Sequence, residues 1–226
     1  MIGVNLRPIR TRLGRAWRRG IQGLRHRVKS RAELHRYWYA PDDGCNSPDL
    51  YLQEGAHARS AMLVSLVLRH VSPPARILEI GCNAGRNLGF LFEAGFTDLA
   101  AIEISKPAID RFRTAFPHAF TAADVRIASV EEAIRDFPSA SCDLVFTMAV
   151  LEHIHPDSEW IFAELVRVTR RWIITIEDEL GVSERHFPRN YKLLFERLKT
   201  TQQEEDAALE RYGLPAGFVA RVFEKR

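Results

Sequence analysis

Glu79 and Glu103 each end a short apolar run, and a glycine-bearing turn, Gly81-Cys82-Asn83-Ala84-Gly85, follows the first of them. An acid in a buried run costs desolvation unless it meets a cation or hydrogen-bond donors. A positively charged nucleoside supplies both: Glu79 would face the cation, and Glu103, about one βαβ unit later, would accept from two ribose hydroxyls. Glycines at 81 and 85 leave room where a Cβ would obstruct the ligand. The turn lacks the G-x-G-x-x-G pattern, so it matches an anionic pyrophosphate poorly and a sulfonium nucleoside well.

A second set of residues could move protons or hold an acceptor. His153 and His155 sit in Leu-Glu-His-Ile-His, and imidazole titrates near working pH, so both are candidate base or acceptor contacts; the alternative is that the segment caps a helix. Arg185-His186-Phe-Pro-Arg189-Asn-Tyr191 reads as a substrate clamp, with His186 the leading general base and Arg185 or Arg189 suited to an anionic group. The other reading is a surface loop whose arginines pair with Glu177-Asp178-Glu179. That acidic triplet, Glu177 first, could bind a cationic or polyhydroxylated substrate.

Positioning these side chains requires strands whose carboxyl ends share one edge. Apolar runs at 77–80, 99–104, 124–128, 142–147 and 172–176 read as buried parallel strands, alternating with helical patterns at 87–93, 105–116, 131–137 and 158–169. Ser105 and Pro107 supply an N-cap and an early proline for the second of these helices. Segments 198–204 and 218–223 read as a closing antiparallel hairpin. A further apolar helix is expected over 56–71, ahead of Pro73-Pro74.

Four ordered pieces, Glu79-Ile-Gly81-Cys-Asn83-Ala-Gly85, Glu103, Asp143-Leu-Val-Phe and Val150-Leu-Glu-His153-Ile, resemble the class-I S-adenosylmethionine-dependent methyltransferases across residues 75–179. The resemblance implies an α/β fold: a Rossmann-like, doubly wound, seven-stranded sheet with an antiparallel last strand. It implies S-adenosylmethionine as cofactor, held by Glu79, Gly81, Asn83, Gly85, Asn87 and Glu103, with Ile104, Ser129, Val130 and Met148 completing the set. Asn83 departs from the second glycine of the commoner loop, and Ser129, or Glu131 nearby, stands where many members have an acid beside the adenine. The Pro-Pro-aromatic run of DNA-base methylases has no counterpart at Thr147-Met-Ala-Val150, which disfavours base N-methylation. The acid-and-Asn set of metal-dependent relatives is also missing, so no metal is expected. The implied activity is methyl transfer to a small-molecule or glycan-type acceptor, at oxygen. The alternatives are a methyltransferase of RNA or protein, and a noncatalytic cofactor-binding protein recruited to a membrane.

The chain divides by composition into 1–36, 37–74 and 75–226. Its net charge of +3 hides a basic arm, since residues 1–36 hold ten Arg and Lys29 against Glu33 alone. Leu6, Ile9, Leu13, Trp17, Ile21, Leu24 and Val28 recur there at helical spacing among the arginines. Such an amphipathic helix suits an anionic membrane surface, packing on its own domain or a partner, or, less well, nucleic acid or an organellar presequence. It lacks the length of apolar sequence that crosses a bilayer. Tyr37-Trp38-Tyr39, followed by a turn-rich stretch with Asp42 and Asp43, is expected to form a lid or a strap; in a lid, Tyr37 and Trp38 would touch substrate. Cys45, Cys82 and Cys142 are far apart and odd in number, which favours a reduced, cytoplasmic setting, peripheral at the inner membrane face if the arm binds lipid. Oligomeric state is not written in the sequence.

Overall fold

The computed structural model describes residues 29–41 and 46–226. The amphipathic pattern of residues 1–28, the acids Asp42 and Asp43 and the thiol Cys45 lie outside the described residues.

Seven strands form one sheet: β1 Ile77–Ile80, β2 Leu99–Glu103, β3 Ala123–Ile127, β4 Cys142–Met148, β5 Thr169–Asp178, β6 Thr200–Asp206 and β7 Phe218–Lys225. Their spatial order is β3-β2-β1-β4-β5-β7-β6, and β7 runs antiparallel to both neighbours while β1 to β5 are parallel. This is the doubly wound architecture expected from the sequence. The order reverses at β1, which pairs with β2 on one side and β4 on the other. The carboxyl ends of these strands open there, which is where such sheets bind ligands.

Alternation along β1 divides the interior in two. Ile77 faces the layer that holds α2 (His57–Leu68), α3 (Arg86–Glu93), α4 (Lys106–Ala115) and α5 (Pro117–Ala122), with Leu63, Leu91 and Phe112 among its buried members. Leu78 and Ile80 face α6 (Val130–Ala133), α7 (Trp160–Val168) and α8 (Tyr191–Arg197), packed against Ile161, Leu165 and Phe195. Successive strand residues point to opposite faces, so a fully buried four-residue strand feeds both cores.

Several boundaries differ from the sequence reading. Helix α1, Arg31–Tyr39, runs across the expected division after residue 36; Ser30 and Glu33 form a capping box that starts it there. Helix α2 ends at Leu68, which is 49% exposed, so the segment is not buried all round. The helix after β2 stops at Ala115, and Pro117 opens a separate one because its ring cannot continue the first. The expected helix over 131–137 is α6 plus a 3-10 turn, Ile134–Asp136. Strand β5 is ten residues long and runs through Glu177 and Asp178, since its edge is paired by β7 to the end. Among the described residues no helix is long and apolar enough to cross a membrane.

Candidate active site

A cleft lies over the carboxyl ends of β1, β2 and β4, the edge at which such sheets bind ligands. Gly81, Asn83, Glu103, Ile104, Ser129, Val130 and Met148 line it, as the sequence reading expected, and so do Trp38, His153 and His155.

The loop after β1 owes its shape to backbone in the left-handed region: φ is 72° at Gly81, 47° at Asn83 and 71° at Gly85. Asn is among the few residues with a side chain that occupy this region readily, which is how Asn83 replaces a glycine. Its N–H donates to Glu103 Oε2 at 2.8 Å, and Ser105 N–H donates to Glu103 Oε1 at 2.8 Å. Burial raises the Glu103 carboxyl above its ordinary range, and these amides pull it back. Glu103 is thus a fixed carboxylate at the β2 tip with lone pairs left for hydroxyl donors.

Three residues expected at the cofactor lie outside the cleft lining. Glu79 shares the parity of Ile77 and turns toward α2 and α3, where Asn87 Nδ2 donates to its Oε1 at 2.7 Å. Asn87 Oδ1 in turn accepts from Ser60 Oγ at 2.7 Å, and Arg86 Nε donates to the same hydroxyl at 2.7 Å. Burial pushes the Glu79 carboxyl up to about 8, and its Oε2 is buried without a hydrogen bond among the described residues. Gly85 serves packing, because a Cβ there would sit 2.0 Å from the Phe112 ring.

The loop above β4 is held from behind. Glu177 is fully buried and accepts from Thr147 Oγ1 at 2.6 Å, Val150 N at 2.9 Å and Glu152 N at 3.3 Å. It is an anchor for the 3-10 turn Leu151–His153, not a substrate contact. Burial, with the Glu152 charge beside it, holds its carboxyl well above the usual range. The rest of the acidic triplet is dispersed: Asp178 accepts from Leu180 and Gly181 amides, and Glu179 forms a two-pronged pair with Arg221. Ala149 holds φ 57° next to the cleft, a strained backbone of the kind found at functional loops. Among the described residues no group of His, Cys, Asp and Glu could hold a metal.

The segment read as a clamp is mostly spent on stitching. Arg189 donates to the carbonyls of Leu151, Phe187 and Ile154 and pairs with Glu159. Phe187 N–H donates to Glu152 O at 2.7 Å. Arg185 lies over the Tyr37 ring at 3.9 Å, and neither lines the cleft. His186 is also outside it. Its Nε2 approaches Glu152 Oε1 at 3.4 Å, and that contact raises its pKa despite desolvation.

His153 lines the cleft together with His35 and His155. Its Nδ1 lies 2.7 Å from the Arg185 carbonyl, so that nitrogen carries the proton and Nε2 keeps the lone pair in the neutral ring. Burial lowers its pKa below the ordinary value. The Trp38 indole packs on it with centroids 4.6 Å apart. His155 instead spends Nδ1 on Asp157 N–H at 3.1 Å, capping the next turn.

Sequence reasoning missed Leu34, His35 and Tyr51, which also line the cleft. His35 Nε2 meets Glu131 Oε1 at 3.2 Å, so the helix α1 is clasped to the far wall. The capping box Ser30-x-x-Glu33 was the available signal for that helix.

The residues fit S-adenosylmethionine: a fixed carboxylate for the ribose, apolar walls from Ile102, Ile104 and Val130 for the base, and acidic rather than basic character near the loop. A methyltransferase-domain family model matches residues 78–172. No curated protein matches the chain in sequence. Solved structures share the fold. The Burkholderia thailandensis 1,6-didemethyltoxoflavin-N1-methyltransferase, with 1,6-didemethyltoxoflavin and S-adenosylhomocysteine bound, is 16% identical, with TM-score 0.63 and 86% of each chain covered. The magnesium protoporphyrin IX methyltransferase of Synechocystis PCC 6803, with S-adenosylmethionine bound, is 12% identical, with TM-score 0.59 over 91% of this chain and 96% of that one. A chain of the complex between the Haloferax volcanii Trm112 methyltransferase activator and a methyltransferase is 13% identical, with TM-score 0.65 over 87% and 99%. The family match over residues 78–172, the sheet order and the cleft chemistry all point to the S-adenosylmethionine-dependent methyltransferase fold.

Proposed function

We propose that the chain methylates a hydroxyl group of a small or glycan-type acceptor. His153 carries this reading. It is an imidazole with a lowered pKa, its Nδ1–H committed to a carbonyl, standing in the wall of the cofactor cleft. S-adenosylmethionine supplies a methyl group already activated on a sulfonium, so alignment and removal of one proton are what the protein must add. Nε2 of His153 takes the hydroxyl proton, and Glu152 Oε1, at 3.5 Å, faces the imidazolium that forms. Glu177 and Arg189 keep the turn that bears His153 in place. Trp38, Pro41 and Ile154 exclude water and offer an apolar wall to a flat acceptor. Trp38 Nε1 is buried without a hydrogen-bond partner among the described residues, and it is the donor available to an acceptor oxygen.

Two of the similar structures are named for small-molecule substrates, which supports a small acceptor. The name of the first places its methyl on a nitrogen, so the choice of oxygen rests on His153. Incubation with methyl-labelled S-adenosylmethionine and fractionated metabolite and oligosaccharide extracts tests the reading by mass spectrometry. A label on oxygen in a small-molecule or oligosaccharide fraction is expected. A label confined to RNA, protein or nitrogen would overturn it.

A further inference from the structure

Glu152 Oε1 lies 3.5 Å from Nε2 of His153 and 3.4 Å from Nε2 of His186. One buried carboxylate oxygen is therefore shared by two imidazoles, whose ring centroids are 5.1 Å apart. Residues 185–187 wrap the turn that bears Glu152 and His153. The Arg185 carbonyl accepts from His153 Nδ1, His186 faces the carboxylate, and Phe187 N–H donates to Glu152 O at 2.7 Å. The other carboxylate oxygen, Oε2, accepts from Asp178 N–H. Gly181 leaves room for the second ring, since a Cβ there would sit 3.0 Å from His186 Cε1.

A single carboxylate neutralises one imidazolium, and a second proton would set two cations against each other across it. The surroundings decide which ring takes the first. His186 has a second carboxylate in reach, Asp178 Oδ2 at 3.9 Å, and the two acids outweigh its burial. His153 is more deeply desolvated, and besides Glu152 it faces the Arg185 guanidinium and His186, both of which disfavour its charge. The other neighbours leave this order intact. Trp38, packed on His153 from α1, is uncharged. Glu177, behind Glu152, is held in its protonated form by burial and by the Glu152 charge, and burial keeps the Tyr191 phenol of α8 neutral. As pH falls, His186 is charged before His153.

We propose that His186 is a positioning residue for the base: as the imidazolium that neutralises Glu152, it leaves Nε2 of His153 its lone pair. The role rests on the reading of His153 as the group that takes a hydroxyl proton. It is exerted through Glu152, because His186 lies outside the cleft. Without a cation at 186, Glu152 would stand bare beside His153 and draw a proton onto it, which spends the base before the acceptor arrives.

The test is a proton NMR titration of the histidine Cε1–H signals of the full chain with S-adenosylhomocysteine and no acceptor, each signal assigned by its loss in His153→Gln or His186→Gln. In the parent the His186 midpoint should lie above that of His153. His186→Gln should raise the His153 midpoint by about one pH unit, and His186→Lys, which returns a cation, should bring it back toward the parent value. Glu152→Gln should lower the midpoints of both rings. The reverse order of midpoints in the parent, which needs no variant to be read, would overturn the proposal. So would a His153 midpoint that is unmoved or lowered in His186→Gln, or equal shifts in the Gln and Lys variants, the result that a purely structural role would give. No turnover is read, so this titration can fail while methyl transfer stands, and transfer of label to an acceptor can fail while the titration stands.

Discussion

His153 Nδ1 and the carbonyl oxygen of Arg185 are 2.7 Å apart, and this contact decides which face of the imidazole is basic. Two segments 32 residues apart in the chain are brought together for it. The carbonyl can only accept, so in the neutral ring the proton stays on Nδ1 and Nε2 keeps the lone pair that the proposed reaction uses.

His153→Gln should lower the rate of methyl transfer by about 10²- to 10⁴-fold and leave S-adenosylhomocysteine affinity unchanged. Burial lowers the His153 pKa from 6.5. The working form is neutral, so kcat/KM should be level around pH 7 to 8 and fall as pH drops below the ordinary histidine value. A fall on the alkaline side with an acid plateau would contradict the assignment.

Glu79 makes stability depend on pH. Folded, it keeps its proton up to about 8; its ordinary value is 4.5. Across that window the unfolded chain binds fewer protons, so stability is present at low pH and falls as pH rises. Between pH 5 and 7 the parent should lose about 3 kcal/mol relative to Glu79→Gln, read from urea unfolding at both pH values. Parallel behaviour of the two proteins would show that Glu79 is ionised in the fold.

Glu177→Leu removes the acceptor for Thr147 Oγ1, Val150 N and Glu152 N together. Leaving such buried donors unpaired should cost about 3 kcal/mol. Transfer activity should fall with it, since the turn carrying His153 loses its anchor. An unchanged urea midpoint with full activity would contradict the anchor role.

His186 shifts stability with pH in the same direction as Glu79, but from the ordinary histidine value upward. Its contact with Glu152 raises its pKa, so its contribution is fully present below the ordinary histidine value and is lost as pH rises through the raised one. The stability gap between parent and His186→Gln should therefore be wide near pH 5.5 and closed near pH 9. A gap that widens with pH would refute the Glu152 contact.

Much of this site was legible in the sequence for local reasons. A branched apolar run ending in a glycine turn, and an acid one βαβ unit later, specify strand, loop and Glu103 within 27 residues. The face to which Glu79 turns was not legible, because parity decides it and the α2 and α3 partners Ser60 and Asn87 are set by packing. The residues 185–189 looked like a clamp because they are polar and varied. Arg189 instead reaches the backbone carbonyls of the turn at 151–154 and His186 the Glu152 carboxylate, contacts over long chain separations that no local pattern announces. Tyr37 and Trp38 were recognised as a cluster, yet only the tertiary fold shows the indole resting on His153.

The most direct test is calorimetric titration of S-adenosylhomocysteine into the intact chain. Saturable one-to-one binding is predicted, weakened about tenfold or more by Glu103→Gln and unaltered by His153→Gln. Absence of saturable binding by folded protein, or equal affinity in the Glu103→Gln variant, would contradict a cofactor held at the β2 tip.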